Sequence, residues 1–190
     1  MAIIGTILKN RRAGSAHLAW NLPALAGPET LELTSKDFSD EGTIPLAQAG
    51  KRAGGENISP ELAWTAPPAG TQQLLLVIED VDAPTAKPFV HCVALIDPSV
   101  TGVPAGGLSA AAPADGVRVL RSGMGRGYLG PEPIKGHGPH RYVFQLFAMP
   151  GVLTTTAGGS PLDEAKARAV IASATGPVLA RGSLAGTYER

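Results

Sequence analysis

The sequence predicts a mainly β fold with few helices, on three observations. The 190 residues include 24 Gly and 17 Pro, spread along the chain as in a turn-rich protein. Residues 74–78 form an unbroken aliphatic run, which is typical of a strand buried on both faces. Residues 89–96 and 141–149 alternate with the period of two that strands show. These three segments are therefore the predicted core strands.

The chain length fits one domain, residues 29–190, preceded by an N-terminal arm, residues 1–28. Pro23 and Pro28 interrupt regular structure in the arm, which is predicted to be either a dimer contact or a surface segment. The first strand pattern follows at residues 31–34. Residues 37–70 are rich in turn-forming residues and predict no long element.

The second half of the chain adds a short strand at residues 117–120, one helix and a final strand at residues 183–188. Ser160 is the predicted cap of the helix, Pro161 its first residue and Gly176-Pro177 its stop. Four apolar residues with helical spacing are predicted to face the sheet: Ala167, Val170, Ile171 and Ala174.

Charge and cysteine content limit the classes of function. Sixteen basic and sixteen acidic residues give zero net charge without a basic stripe, so nucleic-acid binding is not expected. Cys92 is the only cysteine, which excludes an intramolecular disulfide and suits a reducing cytoplasm. The apolar residues 1–8 are too few for a membrane span, and the basic cluster beginning at Lys9 follows them, whereas in an export signal it would precede. The sequence therefore predicts a cytoplasmic protein.

Two polar stretches adjoin the predicted core strands. Asp80 and Asp82 are two residues apart and are expected to project to one side of an extended backbone. His140 and Tyr142 have the same spacing, and alternation puts His91 on the face of Val93 and Leu95. If the strands are neighbours in one sheet, carboxylates and imidazoles meet at one end of it.

Such a group of residues favours an anion site. A carboxylate that accepts a ring N–H would fix the tautomer of His91 or His140, and the other ring nitrogen would then point into the pocket as a donor. The Tyr142 hydroxyl and backbone N–H groups near Gly130 would complete a site for phosphate or carboxylate.

Other functions were weighed against this one. Residues 125–130 match the dinucleotide fingerprint, but Pro131 and Pro133 follow where its helix should begin, so no cofactor is predicted. His137 and His140 with Asp80 or His91 could in principle bind a metal, but strand direction separates His140 from His137, so no metal is predicted. A His/Asp hydrolase, possibly metal-dependent, and an interaction protein with a vestigial pocket remain alternatives.

The motifs resemble a known family. Asp80-x-Asp82-Ala83-Pro84 followed by His91, and Gly130-Pro131-x-Pro133 followed by Gly136-His137-Gly138-x-His140-Arg141-Tyr142-x-Phe144, resemble the two signature regions of the phosphatidylethanolamine-binding proteins. That family is also called Raf kinase inhibitor-like, and the chain looks closest to its bacterial branch. The resemblance runs from Leu31 to Arg190 and includes Asn57-x-Ser59-Pro60. Cys92, where an aromatic residue is usual, departs from the pattern.

The resemblance implies a large antiparallel sheet, a smaller second sheet and few short helices. It implies non-enzymatic binding of a small phosphorylated or anionic ligand, a homodimer, and possible regulation of a protein partner, as in kinase inhibition. The implied ligand-binding residues are Asp80, His91, Gly130, Pro131, His140, Tyr142 and Tyr188. The implied structural supports of the pocket are Asp82, Pro84, His137 and Arg141.

Overall fold

The computed structural model describes residues 2–8 and 10–190. Met1 and Lys9, which belong to the N-terminal segment compared above with an export signal, lie outside the described residues. The helices of the described residues are α1 (Ala2–Leu8) and α2 (Ala167–Ile171), with single 3-10 turns at Ala19–Asn21, Pro23–Leu25, Leu46–Gln48 and Lys51–Ala53. The strands are β1 (Leu33–Thr34), β2 (Gly42–Thr43), β3 (Leu62–Trp64), β4 (Gln73–Asp80), β5 (Phe89–Ile96), β6 (Gly102–Val103), β7 (Val117–Val119), β8 (Arg121–Ser122), β9 (Gly125–Arg126), β10 (His140–Met149) and β11 (Ala180–Tyr188).

The predicted mainly β fold is confirmed. The large sheet has the order β2-β11-β10-β4-β5-β7 and is antiparallel except for β2, which runs parallel to β11. The smaller sheet has the order β1-β3-β6, and β8 and β9 form a separate hairpin. The three predicted core strands become β4, β5 and β10, which are adjacent in the large sheet. The two polar stretches are therefore brought to neighbouring strand ends.

The large sheet is covered on both faces. One core lies between the large and small sheets and contains Leu62 and Trp64 of β3 with alternate residues of β10 such as Phe144. The other core contains Leu75 of β4 and Phe147 of β10 with α2 and nearby turns. Burial on both faces explains why β4 is a continuous aliphatic run.

The predicted helix is shorter than its sequence signals indicated. It begins at Ala167, and Pro161 instead forms an isolated β-bridge with Thr155. Ser160 does not cap the helix, because its backbone exchanges hydrogen bonds with Thr156. The apolar face was predicted correctly: Ala167, Val170, Ile171 and Ala174 are all buried in the second core.

A β-bulge at His91 overturns its predicted face. Ile78 pairs with Cys92 and Glu79 pairs with Val90, so His91 is an extra residue with no partner on β4. Val90 therefore joins Val93 in the second core, while His91 contacts the Tyr142 ring on the opposite face. The bulge reverses the period-two assignment of His91 and of the two residues before it, Phe89 and Val90.

The N-terminal residues lie against the loops that follow β4 and precede β10. A Cβ atom at Gly5 of α1 would come within 2.2 Å of the Lys135 carbonyl oxygen, so the helix backbone is in close contact with that loop. The Ala13 and Gly14 amides donate to the carbonyls of Ala83 and Val81, at 2.9 and 2.8 Å. No helix among the described residues has the length and apolar character needed to cross a membrane.

Candidate functional site

A cavity of about 420 Å³ opens at the ends of β4 and β10 beside the bulge in β5. The loop after β4 and the loop before β10 form its other walls, and its lining is largely apolar. The lining residues are Arg52, Asn57, Asp80, Ala83, Pro84, Thr85, Phe89, His91, Met124, Leu129, Gly130, Glu132, Pro133, Ile134, His140 and Tyr142. Its volume lies within the range of small-molecule sites.

A chain of hydrogen bonds runs from the cavity wall to the N-terminal helix. Asp80 and Tyr142 are directly opposed in the β4–β10 register, which brings the Asp80 carboxylate to His140. The Oδ2 atom of Asp80 lies 2.7 Å from Nδ1 of His140, and Nε2 of His140 lies 2.7 Å from Nδ1 of His137. Nε2 of His137 is 2.8 Å from the Leu8 carbonyl oxygen. All three side chains are buried.

The donors and acceptors of these hydrogen bonds fix the number of protons on Asp80, His140 and His137. The Leu8 carbonyl can only accept, so Nε2 of His137 carries a proton, and the two remaining hydrogen bonds need one proton each. Two neutral imidazoles and an ionised carboxylate would leave one contact without a proton. Asp80, His140 and His137 therefore hold one additional proton, and the unit is neutral overall. Its members are satisfied internally, and both His140 nitrogens are occupied.

Asp82 links the loop after β4 to the N-terminal residues and to the start of β10 through its side chain, and it does not line the cavity. Its side chain forms an ion pair with Arg12 at 2.8 Å and accepts the Arg141 backbone N–H at 2.8 Å. Arg12 also donates to the Pro139 carbonyl at 2.9 Å. The Arg141 guanidinium lies 3.8 Å from Glu41, away from the lining residues.

His91 is held as a neutral imidazole. Its Nδ1–H donates to the Leu129 carbonyl at 2.6 Å, which leaves Nε2 without a proton. Burial lowers the pKa of His91 below its ordinary value of 6.5, and the Asp80 charge only partly opposes this effect. The rings of Phe89 and Tyr142 each contact the imidazole edge-on, with centroids 5.0 Å away.

Tyr142 has a buried hydroxyl with no hydrogen-bond partner among the described residues. Burial raises the pKa of the phenol far above its ordinary value, and the nearby Asp80 charge adds to the effect. Tyr142 is thus a neutral hydrogen-bond donor. A buried donor without an acceptor is costly, which makes this hydroxyl the unusual group of the cavity.

Gly130 brings its loop close to neighbouring backbone. A Cβ atom there would lie 2.3 Å from the Gln48 carbonyl oxygen and 2.6 Å from the Gly50 nitrogen. The Gly130 N–H donates to Oδ1 of Asn57 at 2.7 Å. It is therefore not free to bind an anion, contrary to the expectation for backbone N–H groups near Gly130. Asn57 adopts φ 60° and also donates to the Tyr128 carbonyl, which fixes the loop.

The structure separates the sequence-derived site residues into three groups. Asp80, Pro84, His91, Gly130, His140 and Tyr142 line the cavity. Pro131 lines a smaller space behind His91, and Tyr188 is paired with His140 across β10 and β11 and packs against the first core. Asp82, His137 and Arg141 lie behind the cavity wall.

Sequence reasoning missed several lining residues. Arg52 and Glu132 come from separate segments of the chain. The backbone N–H of Arg52 donates to the Glu132 carboxylate at 2.8 Å. Nothing in the local sequence signals that these residues meet. Phe89 also lines the cavity, although residues 89–96 were predicted only as a strand. Across the described ranges, no three His, Cys, Asp or Glu side chains are grouped to bind a metal ion.

The chain matches one protein-family model and several known relatives. The model of the phosphatidylethanolamine-binding protein family matches residues 34–189. The chain is 34% identical over 156 residues to phomoidride biosynthesis cluster protein B of a fungal species, covering 77% of this chain and 74% of that protein. It is 35% identical over 162 residues to a UPF0098 protein of Methanothermobacter thermautotrophicus, covering 84% of this chain and 99% of the relative.

Solved structures show the same fold. YbcL of E. coli, described as a member of the mammalian PEBP family, aligns with a TM-score of 0.72 and 25% identity, over 84% of this chain and 98% of YbcL. The homolog CT736 of Chlamydia trachomatis aligns with a TM-score of 0.67 and 26% identity, over 84% and 97% of the two chains.

Proposed function

Because the chain belongs to the phosphatidylethanolamine-binding protein family, we propose that it binds a small phosphorylated or otherwise anionic ligand in the cavity beside β4, β5 and β10, without turnover. Family membership supports ligand binding in general. The observation that carries the anionic part is the Tyr142 hydroxyl, a buried neutral donor that finds no acceptor among the described residues. An oxyanion oxygen would supply that acceptor.

His91 supports the same ligand in a pH-dependent way. With Nδ1 committed to Leu129, Nε2 accepts when the ring is neutral and donates once the ring is protonated. The charged or titratable groups that influence it are Asp80, His140 and Glu132. Because the pKa of His91 is lowered, affinity for an anion should rise only as pH falls below 6.5.

His140 has a supporting role in this proposal. Both of its nitrogens are occupied, by Asp80 and His137, so it orients the carboxylate and does not itself donate to the ligand. Arg52 supplies a cation to the lining, which also includes the apolar side chains of Leu129 and Ile134. A phosphate monoester with an apolar body fits both features.

Calorimetric titration with phenyl phosphate tests the proposal. Tyr142→Phe should weaken binding about tenfold, since a charge-assisted hydrogen bond is lost. Tyr128→Phe is the matched control, because the Tyr128 hydroxyl already donates to the Gln48 carbonyl at 3.1 Å and does not line this cavity. Unchanged affinity in Tyr142→Phe would contradict the proposed site. Release of phenol during the titration, lost in His140→Ala, would favour a hydrolase.

The remaining parts of the proposal are a cytoplasmic location, supported by the single cysteine, and a homodimer and a regulated protein partner, both supported by the family resemblance. Light scattering on the purified protein should give the mass of two chains, and a single-chain mass would contradict the dimer. Partner binding that depends on the ligand should weaken in Tyr142→Phe and persist in Tyr128→Phe.

A further inference from the structure

A second cavity, of about 540 Å³, lies on the other side of the loop that follows β4. Three segments converge on it: residues 85–90, residues 121–123 and residues 166–168. It shares only Thr85 and Phe89 with the cavity described above. None of its lining residues belongs to the Asp80–His140–His137 chain.

The charge of this cavity is one-sided. Its lining includes Lys87, Arg121, Lys166 and Arg168 and no acidic residue. Arg168 is neutralised, because its guanidinium lies 2.6 Å from the buried Glu79 carboxylate. Lys87, Arg121 and Lys166 form no ion pair within the described ranges, although the Arg121 guanidinium donates to the Glu164 backbone carbonyl at 3.2 Å. Three cationic residues thus line one cleft that has no acidic residue. A dianion would lower the mutual repulsion of these groups.

Ser122 provides an independent indication of a ligand. The residue is only 6% exposed, and its hydroxyl oxygen has no hydrogen-bond partner in the described part of the chain. It lies on β8 beside Arg121 and lines the cleft, and the Gly123 N–H fixes this segment by donating to the Val90 carbonyl at 2.7 Å. A buried hydroxyl beside unpaired cations is suited to an oxyanion oxygen.

We propose that this cleft is a second binding site, for the phosphate group of a phosphate monoester, with Ser122 as the buried donor and Lys87, Arg121 and Lys166 as the charge partners. A phosphate monoester carries between one and two negative charges near neutral pH and has three acceptor oxygens, which match these groups better than a carboxylate does. The volume is that of a small-molecule site. The site is distinct from the one proposed above and does not depend on it.

Titration with glycerol 3-phosphate, followed by amide NMR, tests the site at low ionic strength. Signals of residues 85–90 and 121–123 should shift together and saturate. Ser122→Ala should weaken binding several-fold, and Lys87→Gln combined with Lys166→Gln should weaken it by about tenfold or more. Lys36→Gln, at an exposed lysine paired with Glu61, is the control for loss of a positive charge elsewhere and should leave binding unchanged.

The outcomes separate the two sites and the two sources of phosphate. Tyr142→Phe should not alter these shifts, so failure here and failure of the first site are distinguishable. Binding of glycerol 3-phosphate without binding to phosphatidic acid vesicles identifies a free ester. Vesicle binding that is lost in the double lysine variant identifies a lipid headgroup. Absence of both, or equal weakening by Lys36→Gln, would overturn the proposal.

Discussion

Nδ1 of His137 and Nε2 of His140 lie 2.7 Å apart, so one ring donates a hydrogen bond to the other. Each ring is anchored at its far nitrogen, His137 by the Leu8 carbonyl and His140 by Asp80. The three hydrogen bonds need three protons, one more than two neutral imidazoles and a carboxylate hold, so Asp80, His140 and His137 form a neutral unit. This chain links the cavity wall to the N-terminal helix.

Asp80→Asn should destabilise the protein by up to about 3 kcal/mol, because without the carboxylate the histidines must either keep a buried charge without a partner or give up the extra proton. Urea denaturation measures the loss, and nitrogen NMR of the two rings should show that three ring protons become two, because the new side-chain amide can donate to Nδ1 of His140. Asp115→Asn, at an exposed carboxylate, should change neither quantity. An Asp80→Asn protein that keeps three ring protons and full stability would contradict the proton count.

Tyr142→Phe should stabilise the ligand-free protein by about 1 kcal/mol, since it removes a buried hydroxyl that makes no hydrogen bond. Tyr128→Phe should have the opposite sign and cost about 1 kcal/mol, because its hydroxyl bond to Gln48 is lost. Thermal denaturation of both variants in the same buffer makes the comparison. Destabilisation of equal size in the two would mean that Tyr142 has a partner.

The sequence was sufficient for the long strands but not for short ones such as β2, β3 and β6 or for the details of the site. Alternation located β5 and β10 because both strands bury regular faces, and the aliphatic run located β4. The bulge at His91 was not predictable, since no glycine or proline marks it and it is created by pairing with β4. Local spacing likewise separated His137 from His140, although the loop turns the His137 ring back onto its neighbour.

The long-range parts of the cavity also escaped prediction. Arg52 and Glu132 are distant in the chain and meet only because Gly130 lets the loop approach the backbone of residues 48–50. The helix signals at Ser160 and Pro161 were overridden by a β-bridge between Thr155 and Pro161. In each case a tertiary contact decided what local propensity could not.

Stability should fall at acidic pH because of His91. Burial lowers its pKa in the folded protein below 6.5, so the unfolded chain binds more protons in this range. The contribution of His91 is therefore fully present above about pH 6.5 and is lost as the pH falls through that value toward the folded pKa. Urea midpoints of His91→Gln should depend less on pH than those of the wild type. His17→Gln, at an exposed histidine, should retain the full dependence.

Cys92 should be unreactive in the folded protein. Its side chain is fully buried, and burial raises the pKa of the thiol to about 12, so the nucleophilic thiolate is scarce at neutral pH. Ellman's reagent should react with it only at the rate of unfolding, and fully in denaturant. Rapid stoichiometric labelling under native conditions would show that β5 opens locally.

Gly130→Ala should destabilise the protein by about 2 kcal/mol, because the added methyl group would overlap the backbone of Gln48 and Gly50. Relief of that overlap must move the loop that carries Leu129 and Glu132, so affinity for phenyl phosphate should fall as well. Gly151→Ala is the control, since a Cβ atom there meets nothing within 4 Å and the change should lie within about 0.5 kcal/mol. Denaturation and titration of the same two variants test this prediction. If Gly130→Ala loses stability but keeps its affinity, the loop does not contribute to the ligand site.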